Sequence, residues 1–173
     1  MRAETEALAA LVAEAGSAAL VSNLSTTLRV AEVGGFSVPC TQNDGLAPTC
    51  YLNTPSRAFI DYGKQELDRF TANGVARAAG RMALSGAHPV VRATGLDRQV
   101  QFNNWMVATN ILPPATAPAW LEAFARVPAG FVPVLRSVNR RAHGALLDAF
   151  AAAGLTLLPM RRIFLRDYGR GQD

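Results

Sequence analysis

The chain has 173 residues, half of them hydrophobic and 17% charged, which is enough for one domain with a substantial core and too few for two. Its formal charge of +4 rests mainly on arginine and includes no lysine-rich run, so a nucleic-acid tail is not indicated. The opening "MRAETEALAALVAEAG" lacks the basic start and apolar core of a signal peptide, and no stretch reaches the ~20 apolar residues of a membrane span. The expectation is a cytoplasmic protein with no membrane partner.

Within residues 4–20, Leu8, Leu11, Val12 and Ala15 recur at helical spacing and predict an N-terminal amphipathic helix. The period then changes to two. "TLRVAEVGGFSVPCTQ" holds two strand-like runs about Gly34-Gly35, a hairpin signal with the positive-φ freedom a tight turn needs. Asn43-Asp44-Gly45 marks a second turn and "TCYLN" a third strand. The cysteines, Cys40 and Cys50, fall on these runs with no metal-binding spacing, and they read as buried thiols on neighbouring strands.

Thr54-Pro55 signals a helix start, and "PSRAFIDYGKQELDRFTAN" places Phe59, Ile60, Gly63, Leu67 and Phe70 on one face, with Asn73-Gly74 as its stop. A helical segment "VARAAGRMAL" follows, interrupted at "SGAHP", which puts His88 in a loop. "RQVQFNNW" reads as a strand, "APAWLEAFARV" as a short helix, and "GFVPVLRSV" as a strand whose proline puts it near an edge or leaves one ladder bond unmade. "NRRAHGALLDAFAAAG" reads as a helix, "LTLLPMRRIFLRDY" as a closing strand or bent strand pair, and 169–173 as a frayed tail. No repeat or linker divides residues 1–173, so a single α/β domain is expected, a mixed β-sheet with helices on both faces.

Three groups of residues could carry chemistry. "QFNNWMVATN" puts Asn103, Asn104, Thr109 and Asn110 at the end of a strand, where open α/β sheets hold ligands. If the strand alternates through residue 104, Asn104 shares a face with Val100 and Phe102, and Asn103 shares the other with Gln99 and Gln101. These amides can recognise an amide or hydroxyl, or can pin the following loop through bonds to its backbone. In "LRSVNRRAHGALL" a strand enters a helix with Ser137 or Asn139 as N-cap. Arg140 and Arg141 then occupy the positive end of the helix dipole, a placement eased by a phosphate or carboxylate that Arg136, Arg140 and Arg141 would hold with the helix N–H groups, or one of small cost if both arginines are solvated. Tyr62 and Glu66 stand one turn apart, with Arg69 beyond, and offer an acid–base pair or a solvated ion pair. The isolated His88 and His143 give no metal set, and no metal is expected.

The motifs "NNWMVATN", "LRSVN" and "GLTLLPMRRIFLRDY", with a strand-helix-strand unit after a hairpin and two helices, resemble the GNAT acyltransferase fold. The resemblance spans about residues 28–168 and is to a bacterial group of GNAT-like proteins loosely related to two-lobed aminoacyl transferases. It implies an N-acyltransferase acting on a small amine or amino acid, with acyl-CoA as donor. The family's pyrophosphate loop is not matched, because Arg141-Ala142-His143-Gly144-Ala145-Leu146 ends in leucine and its glycine falls inside a predicted helix. The alternative is a non-catalytic lobe or binding module, acting as a homodimer or with a second lobe.

The topology puts Asn103 and Asn104 near Arg136, Ser137 and Asn139. Two strands joined by one short helical crossover normally lie parallel and adjacent, and so end on the same side.

Overall fold

The computed structural model of the protein describes residues 2–45, 53–106 and 111–158. Four strands, β1 (Thr27–Val33), β2 (Phe36–Asn43), β3 (Gln99–Phe102) and β4 (Val132–Leu135), form one sheet in the order β1-β2-β3-β4. The first three run antiparallel, and β3 and β4 are parallel. Among the described residues six α-helices accompany the sheet: α1 (Arg2–Ala15), α2 (Ser17–Leu20), α3 (Tyr62–Phe70), α4 (Gly74–Ala93), α5 (Ala117–Ala125) and α6 (Arg140–Ala152). A π-helical segment, Ser56–Asp61, leads directly into α3. The expected α/β mixed sheet is present.

Gly34 and Gly35 adopt φ of 56° and 83°, as a two-residue hairpin turn requires. Gly34 has a second constraint, because a Cβ there would lie 3.1 Å from the Ala119 Cβ on α5. The turn therefore also sets the distance between β1 and α5.

Alternation gives the sheet two unlike faces. Val33, Val38, Cys40, Val100 and Phe102 point to one side and pack with Trp120, Phe124 and Phe150 of α5 and α6. Phe102 meets Trp120 edge-on at 6.4 Å and Phe124 at 5.2 Å. Each such aromatic removes roughly 150–250 Å² from water, about 4–6 kcal/mol as an upper bound at ~25 cal/mol/Å². On the other side α1 covers β1 and β2. Thr5 Oγ1 donates to the Ser37 carbonyl at 3.1 Å, and Val12, Leu24, Leu28 and Met106 form a small apolar cluster. The rest of this second face is polar, with Thr41, Asn43, Gln99 and Gln101 all buried on it.

Several sequence expectations are corrected. The N-terminal helix stops at Ala15 rather than continuing to residue 20, because Gly16 takes φ 79°; the chain turns there and resumes as the single turn α2. Asn73-Gly74 opens α4 instead of closing the preceding helix, since Asn73 Oδ1 accepts Val75 N at 2.9 Å and Ala76 N at 3.1 Å. α4 runs unbroken through "SGAHP" to Ala93, so His88 is helical. Pro89 lies in the penultimate turn, where one missing N–H disturbs little of the ladder. The stripe expected at Phe59, Ile60, Gly63, Leu67 and Phe70 is only partly used. Ile60 is buried and Leu67 packs on Gly80 of α4, while Phe59 and Phe70 are exposed.

β4 is an edge strand among the described residues, as Pro133 suggested. Pro39 lies in an inner strand but one residue beyond the β2–β3 pairing, so it removes no bond from that ladder. Of "TCYLN" only Asn53 falls among the described residues, and it is not in a strand. The closing strand and the tail lie outside the described residues except 155–158, which are not in a strand. No helix among the described residues is long and apolar enough to cross a membrane.

Candidate functional site

The parallel strands β3 and β4 end together at the pair Phe102–Leu135. Just past these ends lie all three non-glycine residues with positive φ among the described residues: Asn103 at 55°, Met106 at 60° and Ser137 at 64°. Such backbone is uncommon outside glycine, and it clusters where a site is built.

On the β3 side, Phe102 pairs with Cys40, but the Asn104 N–H bonds to the Pro39 carbonyl at 3.0 Å. Two residues, Asn103 and Asn104, therefore stand where one would, in the manner of a β-bulge with its first residue left-handed. Asparagine tolerates that conformation better than most residues. The extra residue reverses the facing of whatever follows. Asn104 was expected beside Val100 and Phe102; instead it joins Gln101 and Thr41 on the polar face. Its Nδ2 donates to Thr41 Oγ1 at 2.8 Å and to Gln101 Oε1 at 3.1 Å, with Asn53 Oδ1 at 3.3 Å. Its Oδ1 accepts from Met106 N at 3.0 Å and from Arg136 Nη1 at 2.9 Å. Asn104 is wholly buried, and it pins both the loop after β3 and the arginine after β4.

The network extends inward. Gln101 Nε2 donates to the Asn53 carbonyl at 3.0 Å and to Gln99 Oε1 at 2.7 Å. Gln99 Nε2 donates to the Leu96 carbonyl at 2.6 Å, and Asn53 Nδ2 to Asn43 Oδ1 at 3.2 Å. Buried polar groups of this kind are tolerable only when bonded. Thr41, Asn43 and Asn53 belong to this network without being among the candidates read from the sequence. A signal existed for the first two, since "SVPCTQN" carries polar residues with period two opposite Gln99 and Gln101.

On the β4 side the chain passes through Arg136 and Ser137, both half-buried, to Asn139. Asn139, not Ser137, is the N-cap of α6, accepting Ala142 N at 2.9 Å. His143 departs from helical geometry, and its Nδ1 accepts the Asn139 N–H at 3.2 Å. That bond leaves the proton of a neutral imidazole on Nε2. Arg140 is directed elsewhere, with its guanidinium on Asp148 at 2.8 Å along the exposed flank of α6. Its charge at the helix start is thus balanced without an anion. Of the arginines expected to hold one, Arg136 reaches the β3 exit through its bond to Asn104, while Arg140 is turned to Asp148.

Asn103 is fully buried, with its Oδ1 accepting Trp105 Nε1 at 3.1 Å. Its backbone also hydrogen-bonds the Cys40 thiol, but burial outweighs that bond and pushes the thiol up to about 12. Cys40 is therefore protonated and unreactive at neutral pH, as the buried-thiol reading expected. Asn110, with Thr109 and Cys50, lies outside the described residues. Tyr62 and Glu66 sit on α3, which packs against the π segment and α4. Glu66 faces Arg69 at 3.9 Å.

Two open clefts lie away from the strand ends. One of about 420 Å³ is lined by Val12, Gly16, Leu24 and Leu28, and one of about 330 Å³ by Thr27, Arg29, Gln42 and Asn43. Among the described residues no group of three or more His, Cys, Asp or Glu side chains is placed to hold a metal ion. Comparison with protein-family models, curated proteins and solved structures returned no match for this chain.

Proposed function

We propose that this chain is a GNAT-like acyltransferase domain that transfers an acyl group to an amine or amino-acid substrate, with the donor received in the crevice beyond β3 and β4. The observation that carries this reading is the paired exit of the two parallel strands. Both exits run through left-handed residues, and one hydrogen bond, Arg136 to Asn104, ties them together. The consecutive strand order, antiparallel and then parallel across one helix, supports the same reading. Arg136, held in place by its bond to Asn104, brings a planar guanidinium whose fork suits a phosphate or carboxylate. Ser137 and the capped start of α6 complete the rim. No general-base role is given to Glu66, whose carboxylate faces Arg69.

A non-catalytic binding lobe is the second reading. One observation favours it: the amide of Asn104, expected to recognise substrate, has both ends engaged internally.

Calorimetric titration with acetyl-CoA, longer acyl-CoA and aminoacyl donors tests the proposal, paired with Arg136→Ala. The expected result is binding by the wild type, abolished in the variant, with the melting temperature lowered by only a few degrees. Absence of heat with every donor overturns the proposal. Binding without transfer to any amine acceptor selects the lobe reading, and an unfolded variant identifies Arg136 as structural.

A further inference from the structure

The helix α4 spans twenty residues and buries none of them. Gly80 and Leu84 lie towards α3, where they pack on Leu67 and Gly63. On the opposite side Val75, Ala79, Met82, Gly86 and Val90 form one stripe, with Val75 81%, Met82 74% and Val90 66% exposed. Ala78, Ala83 and Pro89 widen it, and no charged residue falls within it. An amphipathic helix normally turns its apolar side to a core; α4 has apolar residues on both sides and a core on neither.

A glycine adds a second, independent observation. Gly86 interrupts the helix interior, where glycine is unfavourable relative to alanine. Gly80 has a local reason, since a Cβ there would come within 2.8 Å of Leu67. Gly86 has none in this chain, because a Cβ there would meet nothing within 4 Å. A small residue without an intramolecular cause fits a surface that another backbone approaches closely.

We propose that the outward face of α4 is the interface of a homodimer, in which two copies of α4 pack antiparallel about a two-fold axis near Met82 and Ala83. The sequence is self-complementary in that arrangement, as an isologous contact requires. With the axis there, Val75 of one copy lies opposite Val90 of the other, Ala79 opposite Gly86, and Met82 opposite Ala83. Val75 and Val90 close the two ends, Ala79 and Gly86 let the helices approach between them, and Met82 packs over Ala83 at the axis. Charge favours a second copy over a charged partner. Arg77, Arg81 and Arg92 lie on the flank nearer α3, and Arg81 is already paired with Asp68 at 2.6 Å. Two copies therefore meet without apposing like charges.

The area sets the strength. One third of a cylinder about 30 Å long and ~12 Å wide is roughly 400 Å² per copy. Two copies together bury roughly 800 Å², the size of a weak, transient contact rather than of a standard stable interface. A contact of this size gives a reversible dimer rather than an obligate one.

Sedimentation of the full chain across a concentration series tests this, with Met82→Glu and Gly86→Ala. The expected result is a concentration-dependent dimer in the wild type and a monomer throughout for Met82→Glu. Gly86→Ala should weaken dimerisation at least ~10-fold while leaving the thermal stability of the monomer unchanged or raised. That opposition distinguishes the interface from a folding defect, because the alanine improves the helix while spoiling the contact. A wild type that stays monomeric at every concentration overturns the proposal, as does a dimer that survives Met82→Glu. A monomer that floats with anionic lipid vesicles through this face overturns it in favour of a membrane surface.

Discussion

Asn104→Ala should destabilise the fold far more than an ordinary buried asparagine does. The side chain makes two short donor bonds, to Thr41 and Gln101, and accepts two, from Met106 N and Arg136. Neutral bonds contribute ~1 kcal/mol each and one to a charged partner ~1.5–3, with extra cost where a buried group is left unsatisfied. Allowing for some relaxation and water entry, the expected loss is about 3–5 kcal/mol, a large part of the ~5–15 kcal/mol a domain possesses. Asn43 supplies the control. It is also buried on the polar face, but its Oδ1 accepts a bond from Asn53 at 3.2 Å, and its Nδ2 has no partner among the described residues. Asn43→Ala should cost about 1 kcal/mol or less. Urea unfolding followed by tryptophan fluorescence measures both variants. Equal losses would show that burial and not bonding sets the stability of this face, and a loss under ~1 kcal/mol for Asn104→Ala would refute the network as a stabilising unit.

Two further outcomes follow from local geometry. The folded Cys40 thiol keeps its proton up to about 12, whereas an unfolded thiol loses it near ~8.5. Between those limits the unfolded chain binds fewer protons, so wild-type stability should fall by up to ~1.4 kcal/mol per pH unit as pH rises, and should be unaffected by this group below about pH 8. Cys40→Val should remove that component, and parallel alkaline stability curves for the two proteins would contradict it. In the hairpin turn, Gly34→Ala should cost more than Gly35→Ala. Both positions have positive φ, but only the first adds a Cβ 3.1 Å from Ala119. The expected losses are about 2–3 and ~1 kcal/mol, read from chemical unfolding, and equal losses would rule out the close approach of α5.

The parts of the fold that were legible in the sequence are those set by short-range chemistry. The Gly34-Gly35 hairpin, the Thr54-Pro55 start and the α5 and α6 helices each depend on residues within a few positions of one another. The parallel placement of β3 and β4 was also legible, because one short crossover leaves little choice, and it brought Asn104 to Arg136 as the topology implied. The facing of Asn104 was not legible. Alternation holds only while each residue pairs with one partner, and the extra residue at Asn103 reveals itself through a φ value rather than a residue type. Similarly, Arg140 met Asp148 eight positions along the helix, a reach that the usual three- or four-residue spacing does not suggest. The continuity of α4 through Pro89 and the exposure of Phe59 and Phe70 depend on what packs nearby, which no local pattern encodes.

The polar face of the sheet also bears on how the chain avoids folding incorrectly. Sliding β3 by one residue along β2 would turn Gln99 and Gln101 towards Trp120 and Phe124, at a cost of roughly 1–3 kcal/mol for each stranded amide. Sliding it by two keeps the faces but offers Gln101 the wrong neighbour, Asn43 or Pro39 instead of Thr41. In the direction that extends β3 over Pro39, the proline has no N–H to complete the ladder. An all-apolar face would accept several of these arrangements with similar energy. The matched amides, hydroxyl and proline accept one, so the strand that leads into Asn103 and Asn104 is delivered to a single address.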